Sequence, residues 1–475
     1  GGELWYSLKE GTLTKLTTNL TIANDRLVYA VERGQKLYIL DWGDKITEQT
    51  DGAIAANGTD LTSTLMGNPV TAGVDANDHV VVITSPAAIA GTYTVSSVDA
   101  SKIVLGTTVT AQTNVNFYVA RGVKVFDPVA LTLTLFTADS GEGQVPTGCR
   151  YGCLFRDRLI FASAIENPHL WYGSRSGTPG DWDYGGAATD MDRAIAGTNT
   201  AAGKVGAPIT AAIPFSDDYM VFGCTHSSWK VDGDPAYEGF IRNLSQKEGP
   251  YLGKAWTWLS EGSMVLLTRN GLHLIAPGVR GYPEGVSREK LPQELRELDD
   301  ATMQILLEWD TTDRYVHIYN TSEAKKDLPH WWVNPKTGAF WVVRFANKDH
   351  EPTAICAHQS DVPDETCVLL GCRDGYVRRF LAEADTDDGT VIDSFVEVGP
   401  VKLGTNEVGE GIVSEVHGVL ARNSGSVAWA IRVAESHEGI VDATDLDTGT
   451  WTAGVNNTAM ARCAGGSAIL RLSGG

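Results

Sequence analysis

The segment PHLWYGSRSGTPGDWDYG, residues 168–185, places aromatic rings beside carboxylates, and this combination is used to bind or cleave sugars. Trp171 and Tyr172 precede a turn rich in Ser, Gly and Pro, and Trp182 stands between two aspartates. The segment is consistent with a sugar-binding cleft, a hydrolase turn or a structural turn between two strands. A glycosidase also needs two carboxyl groups on opposite sides of the scissile bond, which sequence spacing does not establish. We interpret the rings as structural side chains that stabilise a turn, because paired aromatics in β proteins commonly pack in cores. We interpret the aspartates as caps of backbone amides or as solvent-facing groups.

Two further patterns approach functional motifs and depart from them. The run DLDTGTW at 445–451 is similar to the Asp-Trp hairpin turn of sialidase propellers, but it is one residue short after Gly449. The run GTNTAAGK at 197–204 is one residue too long for a phosphate-binding loop, and Val205 stands where that loop requires Ser or Thr. Neither run predicts a site.

An acidic run around Gly389 is also not a calcium loop. With Gly389 at the sixth position, Ala384 falls at the first and Phe395 at the position of the bidentate glutamate. The sequence contains no H-E-x-x-H, G-x-S-x-G or G-x-G-x-x-G motif. We therefore predict no catalytic residue, no cofactor-binding residue and no metal ligand, and no enzymatic activity.

Histidines and tryptophans offer the remaining candidates for a ligand pocket. His226 lies near Trp229, and His330 precedes Trp331 and Trp332. A histidine at a strand edge, hydrogen-bonded to a neighbour, explains both positions without a ligand. The Trp-rich segments KAWTWLS and HWWVNPKTGAFWVV admit a carbohydrate platform, but tryptophans at the start of strands favour packing between sheets.

The composition indicates a large, mostly β protein with an acidic surface. The 475 residues include 51 glycines and only 20% charged residues, which suits many short strands joined by tight turns. A net charge of −21 repels phosphate backbones and acidic membrane surfaces, so tight nucleic-acid binding is excluded. The 7 cysteines show no C-x-x-C or zinc-type spacing, and we predict that they are reduced and mostly buried.

Strand pairs recur along the chain at intervals of about 45 to 60 residues, the spacing of four-stranded propeller blades. Two of the pairs carry hairpin signals, Asn270-Gly271 and Asp374-Gly375. The pattern predicts a β-propeller of about six blades formed by residues 1–45 and 121–390. The recurring segments are DRLVYAVERGQKLYILD (25–41) with GVKVFDPVALTLTLFT (122–137), RDRLIFASA (156–164), DDYMVFGCTHSSWKV (217–231), GSMVLLTRNGLHLIA (262–276), DRYVHIYN (313–320) and TCVLLGCRDGYVRRF (366–380).

Three segments fall outside this repeat. Residues 46–120 hold closely spaced strands and almost no basic residues, which predicts a small inserted β-barrel or sandwich domain. After a turn-rich acidic stretch at 383–395, alternating strands predict a C-terminal β-sandwich over 391–475. The run SREKLPQELRELDDATMQILL at 287–307 predicts the one good helix, with Ser287 as its N-cap.

The chain shows no targeting or membrane-spanning pattern. Its start, GGELWYSLKEG, has no basic stretch followed by an apolar one, and no window approaches the roughly twenty apolar residues of a membrane span. We therefore expect neither a secretory signal nor a membrane span.

An ordered set of segments resembles the tail nozzle proteins of short-tailed bacteriophages, also called tail hub or tail tubular protein B-like proteins. Segment DRLIFASAIENPHLWYGSRSGTPGDWDYG (157–185) is similar to their succession of R-L-hydrophobic-F-S/A, E-N-P-x-x-W/L-W/Y-x-S and G-x-P-x-D-W/F. The likeness continues through FSDDYMVFGCTHSSWKVDGDP (215–235) and GPYLGKAWTWLSEGSMVLLTRNGLHLI (249–275). It covers about residues 150–380.

The resemblance implies a β-propeller subunit that forms a homohexameric ring at the end of the tail tube. The implied partners are further copies of the chain, the portal-adaptor protein, tail fibres or spikes, and genomic DNA that passes through without sequence-specific binding. The implied location is the virion tail, assembled in the host cytoplasm. Acidic walls suit such a conduit, because they do not trap phosphates. Two alternatives remain open, a receptor- or carbohydrate-binding tail component and a propeller glycosidase.

Overall fold

The protein is almost entirely β, as the composition predicts. The computed structural model describes residues 3–7, 12–18, 20, 22, 28–41, 45–84, 89–200, 202–279, 281–286, 293–296, 298, 303–322, 325–360, 362, 365–382, 384, 386–392, 394–404, 409–440 and 442–474, without the side chains of 457–460. Within these ranges the helical residues are α1, Gln293–Arg296, a 3-10 turn at Lys348–His350, and Glu365.

The predicted helix over 287–307 is wrong at its C-terminal end. Residues Gln304–Trp309 form a strand, and among the described residues of this run the helical ones are Gln293–Arg296. Ile305, Leu306 and Leu307 are all buried, so this strand buries both of its faces. A short continuous apolar run fits a buried strand as well as a buried helix, and only the partner strand distinguishes the two. Ser287 lies outside the described residues.

The chain divides into two compact units. The first contains residues 1–344 and 352–380, and the second contains residues 345–351 and 381–475. The strands of the first unit are, in chain order, β1 (Trp5–Tyr6), β2 (Thr14–Lys15), β3 (Tyr29–Arg33), β4 (Lys36–Leu40), β5 (Lys45–Ile54), β6 (Asp60–Thr62), β7 (His79–Thr84), β8 (Gly91–Val98), β9 (Ile103–Leu105), β10 (Gln112–Ala120), β11 (Lys124–Asp127), β12 (Thr132–Leu135), β13 (Cys149–Phe155), β14 (Arg158–Ala164), β15 (Trp171–Gly173), β16 (Ile195–Ala196), β17 (Ile209–Pro214), β18 (Tyr219–Cys224), β19 (Ser227–Asp234), β20 (Tyr237–Ser245), β21 (Gly253–Lys254), β22 (Trp256–Trp258), β23 (Met264–Thr268), β24 (Gly271–Ile275), β25 (Glu284–Gly285), β26 (Gln304–Trp309), β27 (Val316–Thr321), β28 (His330–Asn334), β29 (Ala339–Val343), β30 (Pro352–His358), β31 (Cys367–Cys372) and β32 (Val377–Arg379).

Most strands of the first unit form small sheets that follow one another in the sequence. We number these as sheet 1 (β12-β11-β4-β3), sheet 2 (β13-β14-β15-β16), sheet 3 (β17-β18-β19-β20), sheet 4 (β22-β23-β24-β25), sheet 5 (β21-β26-β27-β28-β29) and sheet 6 (β30-β31-β32). Neighbouring strands in these sheets are antiparallel, except that β21 joins β26 in parallel. The short β21 therefore precedes sheet 4 in the sequence but belongs to sheet 5.

Successive sheets share apolar cores. Members of the shared cores are Leu40 and Phe161 for sheets 1 and 2, Trp171 and Phe222 for sheets 2 and 3, Val221 and Leu266 for sheets 3 and 4, and Leu267 and Leu307 for sheets 4 and 5. Phe380, which follows β32, packs edge-on against Trp332 of sheet 5 at 5.0 Å between ring centroids. Each sheet therefore packs on the sheet that comes next in the sequence.

Strands β5 to β10 form a closed barrel. In the sequence they lie between β4 and β11, which are neighbouring strands of sheet 1. The strand order is β10-β5-β6-β9-β8-β7, and β10 also pairs with β7. Leu61, Ile103, Val115 and Phe117 fill its interior and are fully buried. The continuous pairing leaves this barrel without a free sheet edge.

Both predicted hairpins are present. Thr268 pairs with Gly271, so the two-residue loop is Arg269-Asn270, one position earlier than the Asn-Gly pair suggests. In sheet 6, Gly375 supplies a φ of +85° to the turn between β31 and β32. Glycine suits this position because other residues rarely take positive φ.

The second unit contains two sheets around one core, and a separate hairpin in which β33 pairs with β34. Its strands are β33 (Thr386–Asp387), β34 (Thr390–Val391), β35 (Phe395–Lys402), β36 (Gly411–Leu420), β37 (Val427–Ala434), β38 (Asp445–Trp451), β39 (Gly454–Gly465) and β40 (Ser467–Gly474). One sheet has the order β35-β40-β37-β38, and the other is the pair β36-β39. Trp429, Trp451, Val416 and Cys463 belong to the core that these sheets share.

A buried arginine fastens the long connection between β15 and β16 to sheet 2. Arg158 on β14 is fully buried, and its Nη1 donates to the carbonyl oxygens of Ser174, Asp192 and Arg193 at 3.1, 2.9 and 2.6 Å. Its Nη2 donates to the carbonyl oxygen of Met191 at 2.7 Å. One guanidinium thus donates to four backbone carbonyls of the irregular connection, and the Asp192 carbonyl accepts from the Ser176 amide as well.

We expect Arg158→Met to lower the free energy of unfolding by at least about 3 kcal/mol, because several buried carbonyls lose their donor. Urea unfolding followed by circular dichroism measures the change. Arg242→Met is the matched control, since Arg242 is about half exposed and pairs with Asp232 at the surface; we expect it to cost less than about 1 kcal/mol. Equal losses in the two variants would contradict this role of Arg158.

Candidate functional site

A cavity of about 530 Å³ lies between the barrel and sheet 2, within the first unit. Val81, Thr92 and Tyr118 line it from the barrel, and Tyr172 lines it from sheet 2. The segments Gly143–Thr147, Glu166–Asn167 and Trp182–Gly185, with Ala164, complete the lining. Its volume falls within the range of roughly 300–1,000 Å³ that is typical of small-molecule sites.

Backbone contacts hold the Trp182–Gly185 segment in place. The Trp182 amide donates to the carbonyl oxygen of Glu142 at 2.8 Å. A Cβ atom on Gly143 would lie 2.4 Å from the carbonyl oxygen of Trp182, so the close approach of the two backbones requires glycine there. Asn199 Nδ2 donates to the Tyr184 carbonyl oxygen at 2.8 Å. The aromatic side chains of this segment are therefore carried on a constrained backbone.

Two polar atoms in the lining lack a hydrogen-bond partner among the described residues. These are the indole Nε1 of Trp182 and the hydroxyl of Tyr184, and both atoms are buried. Only 1% of Trp182 is exposed, and its ring stacks on Phe161 at 5.0 Å. A buried donor without an acceptor costs about 1–3 kcal/mol.

The tyrosines of the cavity are neutral donors at physiological pH. Burial raises the pKa of Tyr118 and of Tyr172 to about 12. Burial also raises the pKa of Tyr184 well above its usual value, and the Tyr172 ring lies 5.9 Å from the Tyr184 ring. Their hydroxyl groups consequently stay protonated over the whole physiological range.

The rim of the cavity carries a lysine between two glutamates. Lys45 Nζ lies 2.8 Å from an oxygen of Glu166 and 2.8 Å from an oxygen of Glu48. The same ammonium group lies 4.8 Å from the centroid of the Tyr118 ring. Glu166 lies in the loop between β14 and β15 of sheet 2, and Lys45 begins the barrel, so this ion pair joins the two walls of the cavity.

The aromatic rings of residues 168–185 lie in positions that agree with the interpretation that they pack in cores. Trp171 is buried, its Nε1 donates to the Gly203 carbonyl oxygen at 3.1 Å, and its ring lies 5.7 Å from Phe222 of sheet 3. Trp182 is also buried, but it lines a cavity, which the sequence does not reveal. The cavity walls come from three distant segments, so no local motif signals them.

The aspartates that flank Trp182 cap backbone amides, as predicted. Asp181 Oδ1 accepts from the Asp183 amide at 3.0 Å, and Asp183 Oδ1 accepts from the Gly185 amide at 2.8 Å. Both are turn contacts of the kind that aspartate makes with the backbone two residues later.

The histidines and tryptophans considered as pocket candidates are not brought together. His226 is exposed in the turn between β18 and β19, whereas His330 is fully buried and its Nδ1 accepts from the Asn320 amide at 3.2 Å. Trp331 is buried in the core between sheets 4 and 5. Trp256 packs in the core between sheets 3 and 4, so these tryptophans lie between sheets.

The structure also contains a buried polar group that no sequence motif indicated. It consists of Asp310, His317 and Tyr319. His317 Nδ1 lies 3.0 Å from the Tyr319 hydroxyl, and its Nε2 lies 3.4 Å from Asp310 Oδ2. Burial raises the pKa of Asp310, but the hydrogen bonds from His317 and from two backbone amides outweigh it and lower that pKa. All three residues are buried, and the His317 ring packs on Phe380 at 4.8 Å. This network stabilises the contact between sheets 5 and 6 and offers no exposed face to a substrate.

The described residues hold no group of three or more His, Cys, Asp or Glu that could bind a metal ion. All seven cysteines are free, and Cys149, Cys153, Cys224, Cys372 and Cys463 are buried. Burial raises the pKa of the Cys149 and Cys153 thiols, which makes them poor nucleophiles. Among the helical segments that the structure describes, none is long and apolar enough to span a membrane.

Comparison with known proteins yields weak structural likeness only. No protein-family model matches the chain, and no curated protein matches it. A protein of unknown function from Bacteroides thetaiotaomicron is 9% identical, with a TM-score of 0.31 over 76% of this chain and 87% of that one. A quinonprotein alcohol dehydrogenase-like protein from the same organism is 10% identical, with a TM-score of 0.28 over 65% of this chain and 82% of that one.

An exo-beta-1,3-galactanase from Phanerochaete chrysosporium is 8% identical, with a TM-score of 0.23 over 71% of this chain and 94% of that one. Values this low do not carry an argument about function.

We expect the buried His330 to make the protein less stable in acid. Burial lowers its pKa from 6.5 to about 3, so the folded protein keeps His330 neutral while the unfolded chain takes up a proton below pH 6.5. This stability is therefore lost as the pH falls, by about 2 kcal/mol between pH 7 and pH 5. Urea midpoints of the wild type and of His330→Asn, which keeps an acceptor for the Asn320 amide, measure the effect at both pH values.

His226→Asn is the control, because that histidine is exposed. We expect His330→Asn to lose stability less steeply with falling pH than the wild type, and His226→Asn to follow the wild type. Parallel pH profiles for all three proteins would show that His330 does not contribute.

Proposed function

We propose that this chain is a structural subunit of the tail of a short-tailed bacteriophage. In this proposal six copies form a ring, the nozzle or hub, that extends the tail tube and forms the channel for DNA ejection. Its partners are further copies of the chain, the portal-adaptor protein and tail fibres or spikes. The proposed location is the virion tail, after assembly in the host cytoplasm, and the role is structural rather than enzymatic.

The observation that carries the proposal is an uncovered strand in the second unit. All eight residues of β35 are exposed, including the large apolar side chains of Phe395, Val396, Val398 and Val401. The strand lies at the edge of its sheet, where β40 is its only partner among the described strands. Phe395–Val398 pair regularly with β40 before a bulge at Gly399-Pro400, and an exposed apolar edge of this kind can pair with another chain, which supports a protein that works in an assembly.

The order of the sheets supports a propeller as the body of the ring. Six sheets of three to five strands follow one another in the first unit, and each shares a core or an aromatic contact with the next. Radial packing of successive small antiparallel sheets is the principle of a β-propeller. In the proposed arrangement these are six blades, and sheet 6 returns to sheet 1.

The charge supports a channel rather than a binding site for DNA. A net charge of −21 gives walls that repel the phosphate backbone, so that a duplex passes without being held. Tight binding would instead require clustered Lys and Arg on one face. The resemblance of segments within residues 150–380 to nozzle proteins points to the same role.

The glycosidase alternative has less support. The two carboxylates in the cavity lining are Glu166 and Asp183, and both are already engaged, one with Lys45 and the other with a backbone amide. Catalysis would require one carboxyl group as an acid and the other as a base or nucleophile. This arrangement supports binding better than hydrolysis.

We expect the purified protein to form a ring of about six 51.0 kDa subunits, either on its own at high concentration or on isolated virion tails. Light scattering behind size exclusion measures the mass across a concentration series. Val398→Glu should shift the equilibrium toward the monomer, because it places a charge in the middle of β35.

Val129→Glu is the matched control, since Val129 is 80% exposed in a turn of the first unit. We expect its native mass to equal that of the wild type. A protein that stays monomeric at every concentration, does not join tails and hydrolyses chromogenic glycosides would overturn the proposal.

A further inference from the structure

We propose that the side chains of Lys124 and Asp41 react with each other and form an intramolecular amide bond. Lys124 Nζ lies 2.7 Å from Asp41 Oδ2, so the amine and the carboxyl group are already in direct contact. The two residues lie where the chain leaves sheet 1 for the barrel and where it returns. They form a candidate site of covalent modification at the base of the inserted barrel.

Neighbouring strands of sheet 1 hold the two reacting groups together. Asp41 directly follows β4, Lys124 begins β11, and Lys124 pairs with Ile39 across these strands. The strands β3 and β12 pair with the outer sides of β4 and β11, so both backbones are fixed within the sheet. A fixed contact of this kind raises the effective concentration of the reacting groups by orders of magnitude.

Burial favours the amide over the ion pair. The side chain of Asp41 is 0% exposed and that of Lys124 is 5% exposed. Taking two opposite charges out of water is costly, and their attraction often fails to repay that cost. Conversion of the pair into one neutral amide removes both charges from the interior.

A histidine beside the pair is placed to carry a proton. Lys124 Nζ donates to the Gly122 carbonyl oxygen at 3.4 Å, and a Cβ atom on Gly122 would lie 2.7 Å from His79 Nε2. This nitrogen is buried and has no hydrogen-bond partner among the described residues. Burial, together with the charge of Lys124, lowers the pKa of His79 to about 4, so the ring is neutral and accepts a proton.

The reaction is a dehydration that needs no oxidant or reductant. A proton first passes from the Lys124 ammonium group to the Asp41 carboxylate, which gives a neutral amine and a neutral carboxylic acid. The amine nitrogen then attacks Cγ of Asp41 and forms the C–N bond. His79 takes a proton from that nitrogen and delivers it to the departing hydroxyl group. The C–O bond breaks and one water molecule leaves.

The bond closes the chain around the whole barrel. Strands β5 to β10 all lie between Asp41 and Lys124 in the sequence, so the amide makes one covalent loop of this segment. A cross-link over a long loop stabilises a protein mainly because it restricts the unfolded chain. This inference goes beyond the proposed ring and does not depend on it, since the assembly argument rests on β35 in the second unit.

The test is the mass of the purified full chain, measured by electrospray mass spectrometry after denaturation. We expect a mass about 18 Da below the mass calculated from the sequence, because one water is lost. Proteolysis should then yield a branched peptide that contains both Asp41 and Lys124. A chain at its full calculated mass would overturn the proposal. A deficit that maps to an unbranched peptide, as from ring closure at Asp51-Gly52, would also overturn it.

Two variants identify the atoms that react. Asp41→Asn keeps the shape of the side chain and loses ammonia instead of water, so we expect a deficit of about 17 Da. Lys124→Met removes the amine, and we expect the full calculated mass and a slower migration on a denaturing gel, because the closed loop is absent. A water-sized deficit that persists in Lys124→Met would contradict the assignment. The mass of the wild type decides the question even where Lys124→Met does not fold.

Lys102→Met is the matched control for these variants. Lys102 Nζ lies 2.8 Å from Asp60 Oδ2, but the Lys102 side chain is 34% exposed, so water solvates this pair. We expect Lys102→Met to keep the mass deficit of the wild type. A branched peptide that joins Lys102 to Asp60 would show that contact alone, without burial, is enough, and would contradict the physical argument made for Lys124.

The role of His79 is tested by the rate at which the amide forms. Chains are sampled at successive times after synthesis, and the fraction with the lower mass is measured. We expect His79→Gln to slow the loss of water about 100-fold, because proton transfer then lacks its carrier. A rate equal to that of the wild type would contradict this role. Light scattering on the same samples separates the proposals, since failure to form a ring with the amide intact contradicts the ring alone.

Discussion

Apolar packing between sheets that follow one another in the sequence is the constraint on which this structure depends. A sheet that is apolar on one face has to bury that face against another element of the fold. Trp171 of sheet 2 packs near Phe222 of sheet 3, and Leu267 of sheet 4 shares a core with Leu307 of sheet 5, so neighbouring sheets bury each other's apolar faces. This arrangement explains why the tryptophan-rich segments lie in cores rather than on an exposed binding surface.

The cavity follows from this packing and from the insertion of the barrel into sheet 1. Sheet 2 is fixed against sheet 1, which is interrupted by the barrel strands, so a barrel wall stands opposite Tyr172 and Tyr184. Arg158 and the Gly143 contact then hold the irregular connection that carries Trp182 and Tyr184. The irregular connection is therefore held by backbone contacts at both of these points.

The second unit differs from the first because one of its strands, β35, is exposed along its whole length. Trp429 and Trp451 are buried between its two sheets, yet β35 leaves Phe395 and Val398 in solvent. Burying those side chains against another chain would gain the free energy that the isolated subunit forgoes. Packing covers the apolar strands of the first unit, whereas the exposed β35 of the second unit supports an assembly surface.

The sequence by itself determined the β class, the two hairpins, the burial of Trp171 and Trp182 and the capping by Asp181 and Asp183. These features depend on alternation, on turn residues and on contacts two residues apart, which are local. It failed at Gln304–Trp309, where a short apolar run fits either a helix or a strand. Only the tertiary structure brought Lys45 to Glu166, 121 positions later in the chain, and placed Tyr118 opposite Tyr172. Contacts between distant segments depend on how sheets pack, and no local spacing encodes that geometry.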